Sequence, residues 1–197
     1  MPSELTTGQA VALGVLHGPA ELLPVSSSAH VALVPRLLGW EYARLPGDVR
    51  KSFEVALHTG TLAGLLLITP RPSARLALLA TAPAAVVGLA FEDPIEQRLG
   101  GPRATAAGLL AGAAILVAAD AHGDGRRRPG LALALGLAQA TALVPGLSRL
   151  GMSVAAARLM GLPRREAFLV GRQVGLPVVA GATALKGFRI ARGGLPR

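Results

Sequence analysis

Glu21-Leu22-Leu23-Pro24-Val25-Ser26-Ser27-Ser28-Ala29-His30 sets an acid, a proline, three hydroxyls and an imidazole within an apolar stretch. Pro145-Gly146-Leu147-Ser148-Arg149-Leu150-Gly151-Met152-Ser153 does the same with a guanidinium and two hydroxyls. A soluble core has little use for such clusters, and a bilayer penalises them. Ionisable groups at membrane depth cost roughly 2.5–3.5 kcal/mol each on insertion scales, so they mark function by default. The two stretches read as halves of one polar site inside a membrane protein.

Composition supports a bilayer. Hydrophobic residues make up 51% of the chain, charged residues 16%, and the mean hydropathy is +0.50. Soluble domains carry about 25% charge. Ala, Gly and Leu dominate the apolar segments, which suits close helix packing in lipid. Candidate spans lie at 52–69, 75–91, 104–121 and 168–186. Each is near the shortest length that crosses a hydrocarbon core of about 30 Å. The N-terminus, Met1 to Gly8, has no basic region ahead of its apolar run and does not read as a cleaved signal peptide. The chain has no cysteine, which excludes disulfides, thiolate nucleophiles and thiolate-bound metals.

The net charge is +9, but the basic residues sit mostly in loops, as at Arg71 and Arg75, Arg126 to Arg128, and Arg164 and Arg165. Aromatics are only 3% and no recognition motif is present, so nucleic acid is not expected as a partner. Headgroup contacts and topology signals account for the charge. Lys and Arg show no bias to one side of the proposed spans, which leaves orientation open.

A shift of 121 residues superposes Leu22 on Leu143, Pro24 on Pro145, Ser27 on Ser148 and Leu38 on Leu159. Three candidate spans separate the copies, so the second copy must enter from the face opposite the first, as in inverted-repeat membrane proteins. Pro24 and Pro145 interrupt the helix. Ser26, Ser27 or Ser28 can cap the helix that resumes through His30, and Ser148 the helix through Arg158. Two helix N-termini would then face one cavity with free N–H groups and positive dipole ends, an arrangement suited to phosphate. A plainer reading, two proline kinks with hydroxyls bonded back to the helix, leaves Glu21, His30 and Arg149 without a role. Ser27 and His30 share a helix face, as do His17 and Glu21. Arg149 offers a planar donor fork for phosphate oxygens. The carboxylate, imidazole and hydroxyls supply parts for proton transfer and nucleophilic attack.

With these residues in view, Gly14 to His30 resembles the first signature of the undecaprenyl-diphosphate phosphatases of the bacitracin-resistance type. Phe53-Glu54-Val55-Ala56-Leu57-His58-Thr59-Gly60-Thr61 resembles the segment that follows it. Pro145 to Ser153 resembles the second signature, and Leu176 to Ala182 the apolar helix beyond. The resemblance implies an all-α integral membrane protein with an inverted repeat and two re-entrant helix pairs. Residues 1–197 would form a single membrane domain. The first repeat would occupy 8–121, a partial second repeat 129–186, and a basic tail 187–197. About two helices' worth of the second repeat is expected to be missing, so a second subunit could supply the cover, as a homodimer.

The implied activity is removal of the terminal phosphate from a C55 polyprenyl diphosphate in the bacterial cell membrane, giving the monophosphate carrier lipid. The polyprenyl diphosphate and membrane lipids are the implied partners. Carried over by position, Glu21, Ser27, His30 and Arg149 are the catalytic candidates. Ser26, Ser28, Ser148, Ser153, Gly146, His17 and Arg172 are the substrate-binding candidates. The nucleophile is left open between Ser27, His30 and an activated water. A divalent cation, Mg²⁺ or Ca²⁺, is the implied cofactor with Glu21 as a ligand. His17 stands where the family usually has Glu, which removes an oxygen donor that hard cations prefer. Arg172 and Gln173 lie in a helix that is apolar in the family. A non-catalytic polyprenyl-phosphate binder or translocator is the competing reading.

Overall fold

A computed structural model describes residues 5–193; residues 1–4 and 194–197, including the end of the expected basic tail, lie outside the description. The described residues form eight α-helices and a short 3-10 turn. In order these are α1 (Thr7–Leu22), α2 (Ser27–Leu37), the 3-10 turn (Glu41–Arg44), α3 (Gly47–Ile68), α4 (Ala74–Leu99), α5 (Pro102–Asp120), α6 (Leu131–Thr141), α7 (Arg149–Leu159) and α8 (Arg164–Gly193). The all-helical expectation holds. The four anticipated spans correspond to α3, α4, α5 and α8, and the two Ser-bearing breaks fall between α1 and α2 and between α6 and α7.

Of these, α4, α5 and α8 are long and apolar enough to cross a membrane. The 22 residues of α3 rise about 33 Å, but Asp48, Arg50, Lys51 and Glu54 make its first two turns polar. Outward faces are strongly apolar: Leu67 is 88% exposed, and Leu110 and Val117 75% each. In water such faces would be a liability; in lipid they are the expected surface.

Ion pairs locate the two ends of the bundle. At one end Lys51 of α3 meets Glu96 of α4 at 2.8 Å, and Lys186 of α8 meets Glu92 of α4 at 2.8 Å. At the other, Asp120 of α5 receives Arg164 of α8 at 2.5 Å and Arg158 of α7 at 3.1 Å. The exposed pairs add little stability. Arg158 is different: it is 6% exposed and also donates to the carbonyls of Leu162, at 2.8 Å, and of Asp120.

Two apolar clusters position the breaks. Leu13 of α1, Val31 of α2, Tyr42 and Leu45 pack with Phe53 and Leu57, which pins the first helix pair to α3. Ala80 of α4, Leu131 and Leu135 of α6, Ala157 of α7 and Val174 of α8 hold the second pair. Gln139 of α6, 2% exposed, donates to the Ala80 carbonyl at 2.8 Å.

The second break also requires close backbone contact with α5. Gly146 has φ +96°, and a Cβ there would lie 2.2 Å from the Thr105 carbonyl oxygen; a Cβ on Gly108 would lie 2.2 Å from that of Pro145. Helix propensity alone favours Ala over Gly at position 108 by about 1 kcal/mol. Overpacking, typically about 1–3 kcal/mol, acts against it. Gly108→Ala is therefore expected to lower the thermal midpoint in detergent. Gly64→Ala, with nothing within 4 Å of the added methyl, should match the parent or exceed it.

Candidate active site

Each break ends where a new helix starts, and the two starts meet. Ser26 occupies the cap position of α2 in a left-handed conformation (φ 62°, ψ 89°), uncommon for a residue with a Cβ. Its hydroxyl makes no capping bond to α2; it approaches Ser28 Oγ at 3.4 Å. The expected serine cap of this helix is thus present in position but not in bonding, because the αL backbone turns the side chain away. The first-turn N–H groups of α2 keep no side-chain partner. At α7 the cap forms as expected, with Gly151 N–H donating to Ser148 Oγ at 3.1 Å. A Cβ on Gly151 would lie 3.3 Å from the Pro24 carbonyl oxygen, so the two breaks are in direct contact.

Between them lies a cavity of about 50 Å³, lined by Glu21, Ser26, Ser27, Ser28, Ser148 and Arg149 among others. This holds a few water-sized groups, the scale of a phosphoryl group and not of a prenyl tail. Ser27 Oγ donates to Glu21 Oε1 at 2.5 Å. Arg149 Nη2 stands 3.8 Å from the same oxygen, with its side chain 24% exposed. A hydroxyl, its acceptor carboxylate and a guanidinium therefore share one small polar space within apolar helices.

Behind Glu21 the α1 face meets α3. His17 and Glu21, one turn apart, lie against His58 and Thr61, one turn apart on α3. His17 Nδ1 is 2.9 Å from Thr61 Oγ1, and the His17 and His58 rings pack edge-on at 4.6 Å. Imidazole Nε2 atoms of His17 and His58 lie 3.8 and 3.4 Å from Glu21 Oε1. His58 and Thr61 were not among the candidates drawn from the sequence. His58 lay in a segment quoted for its likeness, but only the packing of α1 on α3 joins it to Glu21. The pairing of His17/Glu21 at i, i+4 with His58/Thr61 at i, i+3 was the available signal.

Other anticipated residues stand apart from the cavity lining. His30 turns back along α2, its Nδ1 2.8 Å from the Ser26 carbonyl. Ser153 is fully buried on α7 near Gly171 of α8, with no partner for its hydroxyl. Gly146 packs on α5. Arg172 reaches across to Thr69 at the end of α3, donating to its hydroxyl at 2.8 Å.

The donors around Glu21 do not suit Mg²⁺ or Ca²⁺. Those ions take oxygen shells of six or more ligands, whereas here two imidazoles flank a single carboxylate. Among the described residues, His17, Glu21 and His58 are the one group of such side chains whose ligand atoms lie within 4.8 Å of one another.

Known proteins match this chain over most of its length. The family model described as bacitracin resistance protein BacA matches residues 10–195. A Geobacter sulfurreducens protein named undecaprenyl-diphosphatase is 38% identical over 215 residues, covering 95% of this chain and 78% of that protein. Similarly named proteins of Elusimicrobium minutum and Desulforudis audaxviator are each 36% identical. The alignments cover 92% and 88% of this chain, and 76% and 73% of theirs.

Proposed function

The chain belongs to the bacitracin resistance protein BacA family, and on that basis we propose that it is a multi-pass bacterial membrane hydrolase acting as an undecaprenyl-diphosphatase. It cleaves the terminal phosphoanhydride of a C55 polyprenyl diphosphate, releasing phosphate and the monophosphate carrier lipid. The observation that carries this reading is the cavity joining both breaks, where Ser27, bonded to Glu21, faces Arg149.

The chemistry follows from those groups. The diphosphate head enters between the starts of α2 and α7 while the prenyl chain stays in lipid. Arg149 and the first-turn N–H groups of α2 take the charge that builds on the terminal phosphoryl group. Ser27 Oγ attacks the terminal phosphorus and gives its proton to Glu21. The phosphorus–oxygen anhydride bond breaks, and its electron pair leaves on the lipid monophosphate. Water then attacks the phosphoserine, Glu21 assists, and Ser27 returns with free phosphate. Ser148 holds the start of α7, and thereby Arg149, in place.

We read α1/α2 and α6/α7 as the re-entrant pairs of an inverted repeat. Support comes from where their ends lie. The first pair leads through the 3-10 turn into the end of the bundle marked by Lys51 and Glu96. The second begins and ends near Asp120, at the opposite end. The exposed apolar flanks of α4, α5 and α8 leave room for lipid or for a second copy of the chain as cover.

The test is phosphate release from polyprenyl diphosphate by purified protein in detergent, with the lipid product identified as the monophosphate. Release is expected from the parent, and Ser27→Ala should reduce it to background. Brief acid-quenched incubation with terminally labelled substrate should leave label on the parent protein and none on Ser27→Ala. Binding without release by the folded parent would favour a carrier or translocator, the reading that the exchange of a carboxylate for His17 supports. Release without labelled protein would replace Ser27 by a water nucleophile or by His30, whose phosphoramidate the acid would hydrolyse.

A further inference from the structure

The cluster beneath the phosphate cavity has an unusual bonding pattern. Thr61 Oγ1 donates its proton to the Leu57 carbonyl at 3.0 Å, so at 2.9 Å it accepts from His17 Nδ1–H. His58 Nδ1 lies 2.8 Å from the Glu54 carbonyl, which can only accept. Each imidazole thus carries a proton on Nδ1, which leaves Nε2 as the ring atom available to a metal ion. Both Nε2 atoms turn toward Glu21 Oε1, at 3.8 and 3.4 Å. Three atoms able to bind a metal ion thus lie within 4.8 Å of one another. His17 Nε2 is buried without a partner, on a side chain 1% exposed.

Such a convergence calls for a cation at its centre. Arg149 does not fill it: its Nη2 lies 3.8 Å from Oε1 on the cavity side. Ser27 also meets this oxygen from the cavity side, as a donor. Around a tetrahedral zinc-type ion, imidazole and carboxylate donors at about 2.0–2.2 Å sit about 3.3–3.6 Å from each other, and the His58 and His17 nitrogens stand 3.4 and 3.8 Å from Glu21 Oε1. The outer bonds match as well. Metal-binding histidines characteristically donate the other ring N–H to an oxygen that fixes ring and tautomer, the role that Thr61 and the Glu54 carbonyl fill.

We propose that His17, Glu21 and His58 form a binding site for one borderline transition-metal ion of the zinc class. The site selects against Mg²⁺ and Ca²⁺, since two imidazoles replace the oxygen donors those ions need. Three protein donors leave a coordination position, and Glu21 places it beside the cavity that Ser27 and Arg149 line. The site would take a phosphate oxygen or water there. This deepens the reading of the cavity as a diphosphate site, but its test reads metal binding and not turnover, so either can fail alone.

The experiment loads detergent-purified, chelator-stripped protein with Zn²⁺ or Co²⁺, removes free metal and measures bound metal per chain. Co²⁺ is also followed by its visible absorption. One equivalent of Zn²⁺ and the visible bands of low-coordinate Co²⁺ are expected, with no comparable retention of Mg²⁺ or Ca²⁺. Thr61→Val, which leaves all three ligands in place, should weaken binding about 10–100-fold. His58→Gln should weaken it further and remove the Co²⁺ bands. His17→Glu should shift preference toward Ca²⁺ or Mg²⁺. Substoichiometric Zn²⁺ on a protein with an unchanged thermal midpoint would overturn the proposal, leaving the three acceptors to share a proton. Equal retention by the parent and His58→Gln would overturn it too, by placing the metal elsewhere.

Discussion

Arg149→Ala is expected to lower phosphate release by about 10³-fold or more, the range over which an arginine stabilises charge in phosphoryl transfer. Among the described residues Arg149 is the one basic side chain lining the cavity, and it stands on the first turn of α7, directly after the Ser148 cap. Removing it takes the guanidinium from the terminal phosphoryl group and leaves the backbone N–H groups and serine hydroxyls of the lining. Arg149→Lys should recover only part of the loss, because an ammonium cannot present a planar, two-pronged contact to phosphate oxygens. Steady-state rates of release under saturating lipid, with the thermal midpoint as a control for folding, check both variants. Parent-like rates for Arg149→Ala would remove the guanidinium from the reaction.

Glu21→Gln should cost about 10²–10⁴-fold, the range for loss of a positioned general base. The amide keeps the shape of the carboxyl group and can still accept from Ser27, so the fold should persist. It cannot take the proton from the hydroxyl. If Glu21 acts as that base, the fall appears in kcat with KM little changed, since the amide preserves the cavity's outline. A rise in KM with kcat intact would make Glu21 a binding group instead.

Most of the architecture was legible in the sequence because lipid makes strong demands on it. Apolar runs near the crossing length located α3, α4, α5 and α8. Proline and serine clusters located the breaks, since a chain leaving helical geometry at that depth must line a cavity or be buried in protein. Ser27, Glu21, Ser148 and Arg149 could be grouped because two local signatures carried them and the shift of 121 residues related those signatures.

What escaped were the partners that His17, His30 and Arg172 find. His17 was read through its neighbour Glu21, four residues on, but its ring meets His58 and Thr61 on α3, more than forty residues away. Nothing in local periodicity reports that register; the packing of Leu13, Tyr42 and Phe53 sets it. His30 was grouped with Ser27 because three residues separate them on one helix. Its Nδ1 instead meets the Ser26 carbonyl one turn back, as His58 meets that of Glu54 on α3, and local spacing does not distinguish such a rotamer from one that faces the cavity. Arg172 drew attention as a charge in an apolar helix, and its hydrogen bond to Thr69 shows it joining α8 to the end of α3.

The central claim is that the two breaks act as one site on one phosphoryl group, and the direct test is a double-variant comparison of Glu21→Gln, Arg149→Ala and both together. Groups that serve the same transition state are strongly non-additive. Phosphate release by the folded double variant is predicted to be close to that of the slower single variant. Losses that multiply would mean that Glu21 and Arg149 act independently, and a single variant with the parent's rate would mean that its break takes no part in the chemistry.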